Sequence, residues 1–202
     1  MPASLLPDRV TPADNASYPI RRLWNVTDFH CMEKTGFLPP ESRLELIEGE
    51  LFDMAPIGSF HAGTVSILTR LLMRAVADSA IVHAQSPVVL SDRSEPQPDL
   101  LLLRPRSDYY LSEHPRSQDV LLLIEVSDST VQFDRKTKVP LYARHGIPEV
   151  WLVVGPKRRH IEVYRDLLPD HSAYQTCLQL RMGILGSALL PQAEICLEDV
   201  FI

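Results

Sequence analysis

A chain of 202 residues is long enough to build one packed core without help from disulfides or metals. Apolar residues at 45% and charged residues at 23% exclude a disordered or collagen-like protein, and 17 prolines against 8 glycines read as rigid turns between apolar runs. A net charge of −6 argues against holding nucleic acid by bulk electrostatics, which takes a basic excess. It leaves room for a local basic face, or for carboxylates whose charge a metal ion offsets.

Residues 1–20, rich in Pro, Ser, Ala and Asp without periodicity, are expected as an irregular arm, and 21–202 as a single domain. The arm carries Asp8 and Asp14 instead of a basic start and apolar block, so no secretory signal is expected. Thr27, followed by Asp28, predicts the N-cap of a short helix ending near Gly36, and Pro39-Pro40 an extended passage. Leu44, Leu46, Ile47 and Leu51 around Gly49 predict two short strands or one bent strand. Between 60 and 79 the period changes: Val65, Leu68, Leu72, Ala75 and Val76 share a helical face.

Short strands are predicted at 81–83 and 87–90, then two strands of almost unbroken apolar character, 98–103 and 120–126. Such runs suit strands covered on both faces. A helix from Asp134 to His145 ends at Gly146, with Pro140 in its first turns or kinking it. The segments 149–154 and 160–165 form a hairpin about Gly155-Pro156-Lys157-Arg158-Arg159, and weaker strands follow near 174–180 and 194–198. This order describes an α/β protein with a mixed central sheet flanked by helices. No apolar run approaches the roughly 20 residues of a membrane helix. Cys31, Cys177 and Cys196 form no CxxC pair, so a reducing cytoplasm is the expected location.

Two acids sit on the most apolar strands. Asp99 opens one, and Glu125 interrupts Leu121-Leu122-Leu123-Ile124-Glu125-Val126 near its end. A carboxylate there is costly to desolvate unless it is paired, hydrogen-bonded or bound to a cation. If the strands are neighbours, the two acids can converge on a hard divalent ion able to activate water at a phosphodiester. With about equal weight, Glu125 caps the Ser127–Thr130 turn or pairs with an arginine. Asp134 and Lys138, four apart, share a helical face above the end of the Glu125 strand. The lysine then serves either the reaction or a solvated ion pair.

Other residues carry less. The seven histidines show no HxxxH spacing for zinc, and no GxxxxGK[ST], GxGxxG or GxSxG motif occurs. The basic turn Lys157-Arg158-Arg159 is able to touch phosphate, though exposed hairpin charges more often serve solubility. Trp24 and Trp151 read as core or interface aromatics.

Taken together, Glu45-Leu46-Ile47-Glu48-Gly49-Glu50, His61, Pro98-Asp99, Ile124-Glu125-Val126-Ser127, Asp134 through Lys138, and Tyr142 through Val153 occur in an order that resembles the Uma-two family of restriction-endonuclease-like proteins, a branch of the PD-(D/E)xK nuclease superfamily. The resemblance spans about Thr27 to Tyr164. It implies a restriction-endonuclease-like fold and a metal-dependent endonuclease acting on nucleic acid, DNA above RNA. Asp99 and Glu125 would hold Mg2+ or Mn2+ with the Val126 carbonyl as third ligand, Glu45 would be an additional acid, and His61 and Asp134 would be accessory. Ser127 stands where the superfamily has lysine, and Lys138 is its spatial replacement. A homodimer follows by analogy. The alternative is a module of the same fold without turnover, binding nucleic acid or protein.

Overall fold

The computed structural model describes Asp8–Arg9, residues 20–39 and residues 42–201. Its contacts divide the chain into two units, Met1–Pro56 with Val89–Pro96, and Ile57–Val88 with Gln97–Ile202. Of the arm expected over 1–20, all but Ile20 and the short strand β1 (Asp8–Arg9) lies outside the described residues. So does part of the Pro39-Pro40 passage.

In the first unit, β1 pairs antiparallel with β2 (Arg22–Leu23), and helix α1 spans Val26–Lys34. Its cap is Asn25, whose Oδ1 accepts the Asp28 N–H at 2.8 Å. The expected Thr27 cap is corrected by two residues, because the chain enters the helix earlier and Asn is at least as good an N-cap as Thr. Strands β3 (Leu44–Ile47) and β4 (Glu50–Asp53) form a tight hairpin with Ile47 opposite Glu50. Glu48 and Gly49 both take positive φ, +50° and +83°, as a two-residue turn of the primed type requires. A Cβ at Gly49 would also fall 2.6 Å from Leu23 Cβ. Phe29, Met32 and Leu46 form the small core of this unit, with Trp24 packed against them. The strand expected at 87–90 does not form, and Leu90 instead donates its N–H to Ser94 in a turn.

The second unit is built on a six-stranded sheet in the order β10-β9-β8-β7-β6-β5. The strands are β5 (Ile81–Ala84), β6 (Leu100–Leu103), β7 (Val120–Ser127), β8 (Glu149–Val154), β9 (His160–Leu167) and β10 (Tyr174–Leu180). Only β7 and β8 pair in parallel, and the crossover between them is helical. Every residue of β6, β7 and β8 is buried, as the apolar runs predict for strands covered on both sides. Helix α2 (Ser59–Val76) lays Val65, Leu68, Leu72 and Val76 on one face of the sheet, against Leu100, Leu122, Ile124, Val126 and Val153. A small hairpin of β11 (Ile184–Gly186) and β12 (Glu194–Cys196) adds Leu185 and Ile195 to that core. The helix α5 (Leu197–Val200) takes the place of the last residues of the strand expected to 198. Among the described residues, no helix is long and apolar enough to cross a membrane.

Glu149, at the start of β8, is buried and accepts three hydrogen bonds: from Trp151 Nε1 (2.8 Å), Ser187 Oγ (2.9 Å) and the Ala188 N–H (2.8 Å). It ties the segment before α5 to the sheet. Replacing Glu149 by Ala strands buried donors, each costing about 1–3 kcal/mol, so urea denaturation is expected to show a loss of about 3–5 kcal/mol. A midpoint within error of wild type would contradict this role.

Candidate metal and catalytic site

The crossover from β7 to β8 is one helical stretch in three parts: α3 (Val131–Phe133), a π-helical segment (Asp134–Lys138) and α4 (Val139–Arg144). The sequence predicts a helix from Asp134 with Pro140 in its first turns or kinking it; the structure starts it earlier, at Val131, and widens its middle. Val139 donates its N–H five residues back, to the Asp134 carbonyl. Pro140 has no N–H for the carbonyl of Lys136, and a widened turn relieves the ring's clash with the preceding turn. The stretch ends as expected, with Gly146 at φ +76° and the Ile147 N–H bonded to the Tyr142 carbonyl.

Strand register decides where the two acids meet. Leu100, the first residue of β6, opposes Ile124, and Asp99 just before it accepts the Val126 N–H, which places Asp99 beside Glu125 at one end of the antiparallel β6–β7 pair. Ile124 and Val126 pack into the α2 core, so Glu125 between them faces the other way, toward the crossover helix. Both acids are buried, Asp99 at 5% exposure and Glu125 at 4%.

Each carboxylate is held by named donors. Asp99 Oδ2 accepts the Val126 N–H at 2.8 Å, and Asp99 Oδ1 accepts from His61 Nε2 at 2.7 Å. Glu125 Oε1 accepts from Lys138 Nζ at 3.0 Å and from the Tyr142 hydroxyl. Lys138 is itself only 1% exposed. A buried lysine and a tyrosine are thus partners of the Glu125 carboxylate. The reading of Asp134 and Lys138 as a solvated pair is corrected: both are buried, and Asp134 Oδ2 accepts from Thr130 Oγ1 at 2.8 Å. Asp134 thus fastens the start of the helical stretch. His61 lies in the first turn of α2. Glu45 lies in β3 of the first unit, where it is buried opposite Phe52. Val126 follows Glu125 on β7, paired with Val153 of β8.

Tyr142 escaped the sequence reading although its signal was present: it lies four residues after Lys138 on a helix, hence on the same face. A second missed cluster lies in the same cross-strand row. Glu125 pairs with Leu152, and Leu152 with Glu162 of β9. Glu162 accepts from Arg135 Nε (2.9 Å), His160 Nε2 (2.9 Å) and the Tyr164 hydroxyl (2.6 Å). His160, Glu162 and Tyr164 alternate along β9, and that period of two is legible in the sequence. Burial pushes the Glu162 carboxyl up, but the bonds from Arg135, Tyr164 and His160 outweigh it and bring it down to about 2. Burial and the adjoining Glu162 push the Tyr164 hydroxyl upward.

A carboxyl lower in the folded than in the unfolded chain stabilises the fold above its unfolded value of 4.5, and the gain is lost as pH falls toward about 2. Glu162→Gln should therefore show a shallower fall of the urea midpoint between pH 5 and pH 2.5 than wild type. Equal acid slopes for the two proteins would remove Glu162 from that balance.

Comparison with known proteins agrees with this architecture. The family model described as "Putative restriction endonuclease", Uma2, matches residues 26–198. The chain belongs to the Uma2 family. Among solved structures, it is similar to one titled as a putative nuclease belonging to DUF820 from Anabaena variabilis ATCC 29413. The TM-score is 0.62 and the identity 16%, over 84% of this chain and 96% of that one. At that identity the likeness speaks for the fold, which is restriction-endonuclease-like as the resemblance implied. No curated protein matches the chain. Within the Uma2 match fall Asp99, Glu125, Lys138, Tyr142 and His61, and also the Arg135–Glu162 pair.

Proposed function

We propose that this Uma2 protein is a metal-dependent endonuclease that hydrolyses phosphodiester bonds of nucleic acid, with DNA as the favoured substrate. The observation that carries the reading is the nearness of two buried acids, Asp99 bonded to the Val126 N–H and Glu125 just before it on β7, with a buried lysine 3.0 Å from Glu125. The donor set fits a hard divalent ion: two neighbouring buried carboxylates, each already oriented by hydrogen bonds, with cationic and neutral donors beside them. Asp99, Glu125 and the Val126 carbonyl would hold Mg2+ or Mn2+, which when bound supplies an activated water and neutralises charge on the phosphate.

The chain's own groups do the rest. His61 and the Val126 N–H fix both oxygens of Asp99, and Tyr142 fixes Glu125. Lys138 offsets the charge of Glu125 and is the group able to orient the attacking water or meet charge developing on phosphate. In the overall reaction the water oxygen bonds to phosphorus, one P–O ester bond breaks, and the departing oxygen takes up a proton. Lys138, delivered from the crossover helix, stands in for the lysine that Ser127 displaces from the usual Glu-x-Lys.

The test is cleavage of labelled single-stranded, duplex and branched DNA, and of RNA, with Mg2+ or Mn2+ and with EDTA. Metal-dependent cleavage above a mock preparation is the expected result. No cleavage of any substrate by folded protein at micromolar concentration would overturn the reading in favour of a module without turnover. Cutting both strands of a duplex takes two such sites, and light scattering with duplex present tests the homodimer that the family resemblance implies.

A further inference from the structure

The hairpin joining β8 to β9 stands at the same end of the sheet as the two acids. β7 and β8 run parallel, Val154 pairs with Ser127, and Gly155 donates its N–H to the Ser127 carbonyl at 3.1 Å. Ser127 is two residues beyond Glu125. The turn thus begins about 7 Å from Glu125 along the strand, and its tip extends no more than about 10 Å further.

That turn is fastened at several points. Gly155 lies under the Phe60 ring so closely that a Cβ there would come within 1.8 Å of Phe60 Cζ, and Phe60 adjoins His61. His160 Nδ1 donates to the Arg158 carbonyl at 3.0 Å, and Arg159 Nη1 donates to the Phe201 carbonyl at 3.0 Å. The side chains of Lys157 and Arg158 are exposed, and neither is in an ion pair among the described residues. Among the described residues these are two cations without a carboxylate partner, on a turn whose backbone is tied down, in a chain of net charge −6. A merely solubilising turn needs no such anchoring.

We infer that Lys157 and Arg158 form a subsite for the phosphate backbone of nucleic acid flanking the scissile bond. The inference rests on the reading of the Asp99–Glu125 site as a phosphodiester site. Successive phosphates along one strand are spaced well within that reach, so the tip of the turn would meet phosphates within a few nucleotides of one lying on the acids. A backbone held there carries no sequence information, but it sets the register in which the scissile bond is presented. It also resolves the conflict between the acidic chain and an anionic partner: the positive charge is placed locally.

The test separates binding from cleavage. Lys157→Ala/Arg158→Ala is compared with wild type and with Arg70→Ala/Arg74→Ala, which removes the same charge from the far half of α2, all at equal thermal midpoints. Binding of a fluorescein-labelled 20-base-pair duplex is followed by anisotropy in EDTA, from 50 to 200 mM NaCl. Two lost phosphate contacts predict that the slope of log K against log salt becomes shallower by about 1.8, so that the loss of affinity is about twelvefold larger at 50 mM than at 200 mM NaCl. The Arg70/Arg74 variant should keep the wild-type slope. Equal slopes in all three proteins, equal losses in the two double variants, or no binding by wild type at 50 mM would each overturn the subsite. If wild type binds with the predicted slope but does not cut when Mg2+ is added, the nuclease reading fails while the subsite stands.

Discussion

Asp99→Asn is expected to lose at least about a hundredfold in cleavage rate while keeping its fold, because it removes a negative oxygen ligand without changing shape. An amide can still accept the Val126 N–H, so the β6–β7 junction keeps its bond. A companion measurement uses the metal itself. An ion bound only to the folded chain raises the thermal midpoint by mass action, so millimolar Mg2+ or Mn2+ should raise it in wild type and not in Asp99→Asn. Undiminished cleavage by the purified variant, or an equal metal-induced shift in both proteins, would remove Asp99 from the site.

The second large effect belongs to Lys138. It is 1% exposed and 3.0 Å from Glu125 Oε1, so Lys138→Ala takes away the cation beside a buried carboxylate. Breaking a buried pair by removing one partner costs about 3–5 kcal/mol, whereas replacing both partners by apolar groups of similar volume is often neutral or stabilising. Lys138→Met should accordingly unfold at lower urea than wild type, and Lys138→Met/Glu125→Leu should recover most of the loss. Both variants should be inactive, which separates the role in catalysis from the role in stability. Additive effects in this double-mutant cycle would show the pair to be uncoupled and would sink the argument.

Placing a lysine on Glu125 also explains why the segment Asp134–Lys138 is not a regular α-helix. Arg135 and Lys138 are three residues apart, and their partners Glu162 and Glu125 stand two strands apart in one row of the sheet. The widened turn lets one short segment span that row, with Arg135 over one acid and Lys138 over the other. Wide helical turns of this kind recur at functional sites for such a reason: the extra residue re-aims a side chain.

Much of this was legible in the amino-acid order. The strands β6, β7 and β8 announced themselves as unbroken apolar runs, α2 by its period, and the Glu48-Gly49 turn by a glycine between alternating segments. Those signals are local, since they report which faces must be buried. The same reasoning marked Asp99 and Glu125, because a carboxylate inside an apolar strand demands a partner. Local signals erred where two local solutions compete: Asn25 displaced Thr27 as the cap, and 87–90 turned back on itself instead of pairing.

Which partner each acid takes was a different matter. Covalent order says only that Lys138 follows Glu125 by thirteen residues. The β6–β7 register, the parallel pairing of β8 and the widened turn at Pro140 together put that amine, and the Tyr142 hydroxyl, on the carboxylate. Likewise the alternation of His160, Glu162 and Tyr164 is visible in the chain, but Arg135 joins them only through the crossover. The sequence alone thus determined the elements, the family likeness and the candidate acids, since burial patterns and motif order are properties of short segments. The tertiary structure alone decided the pairings, because strand register and helix placement are settled by packing the whole core at once.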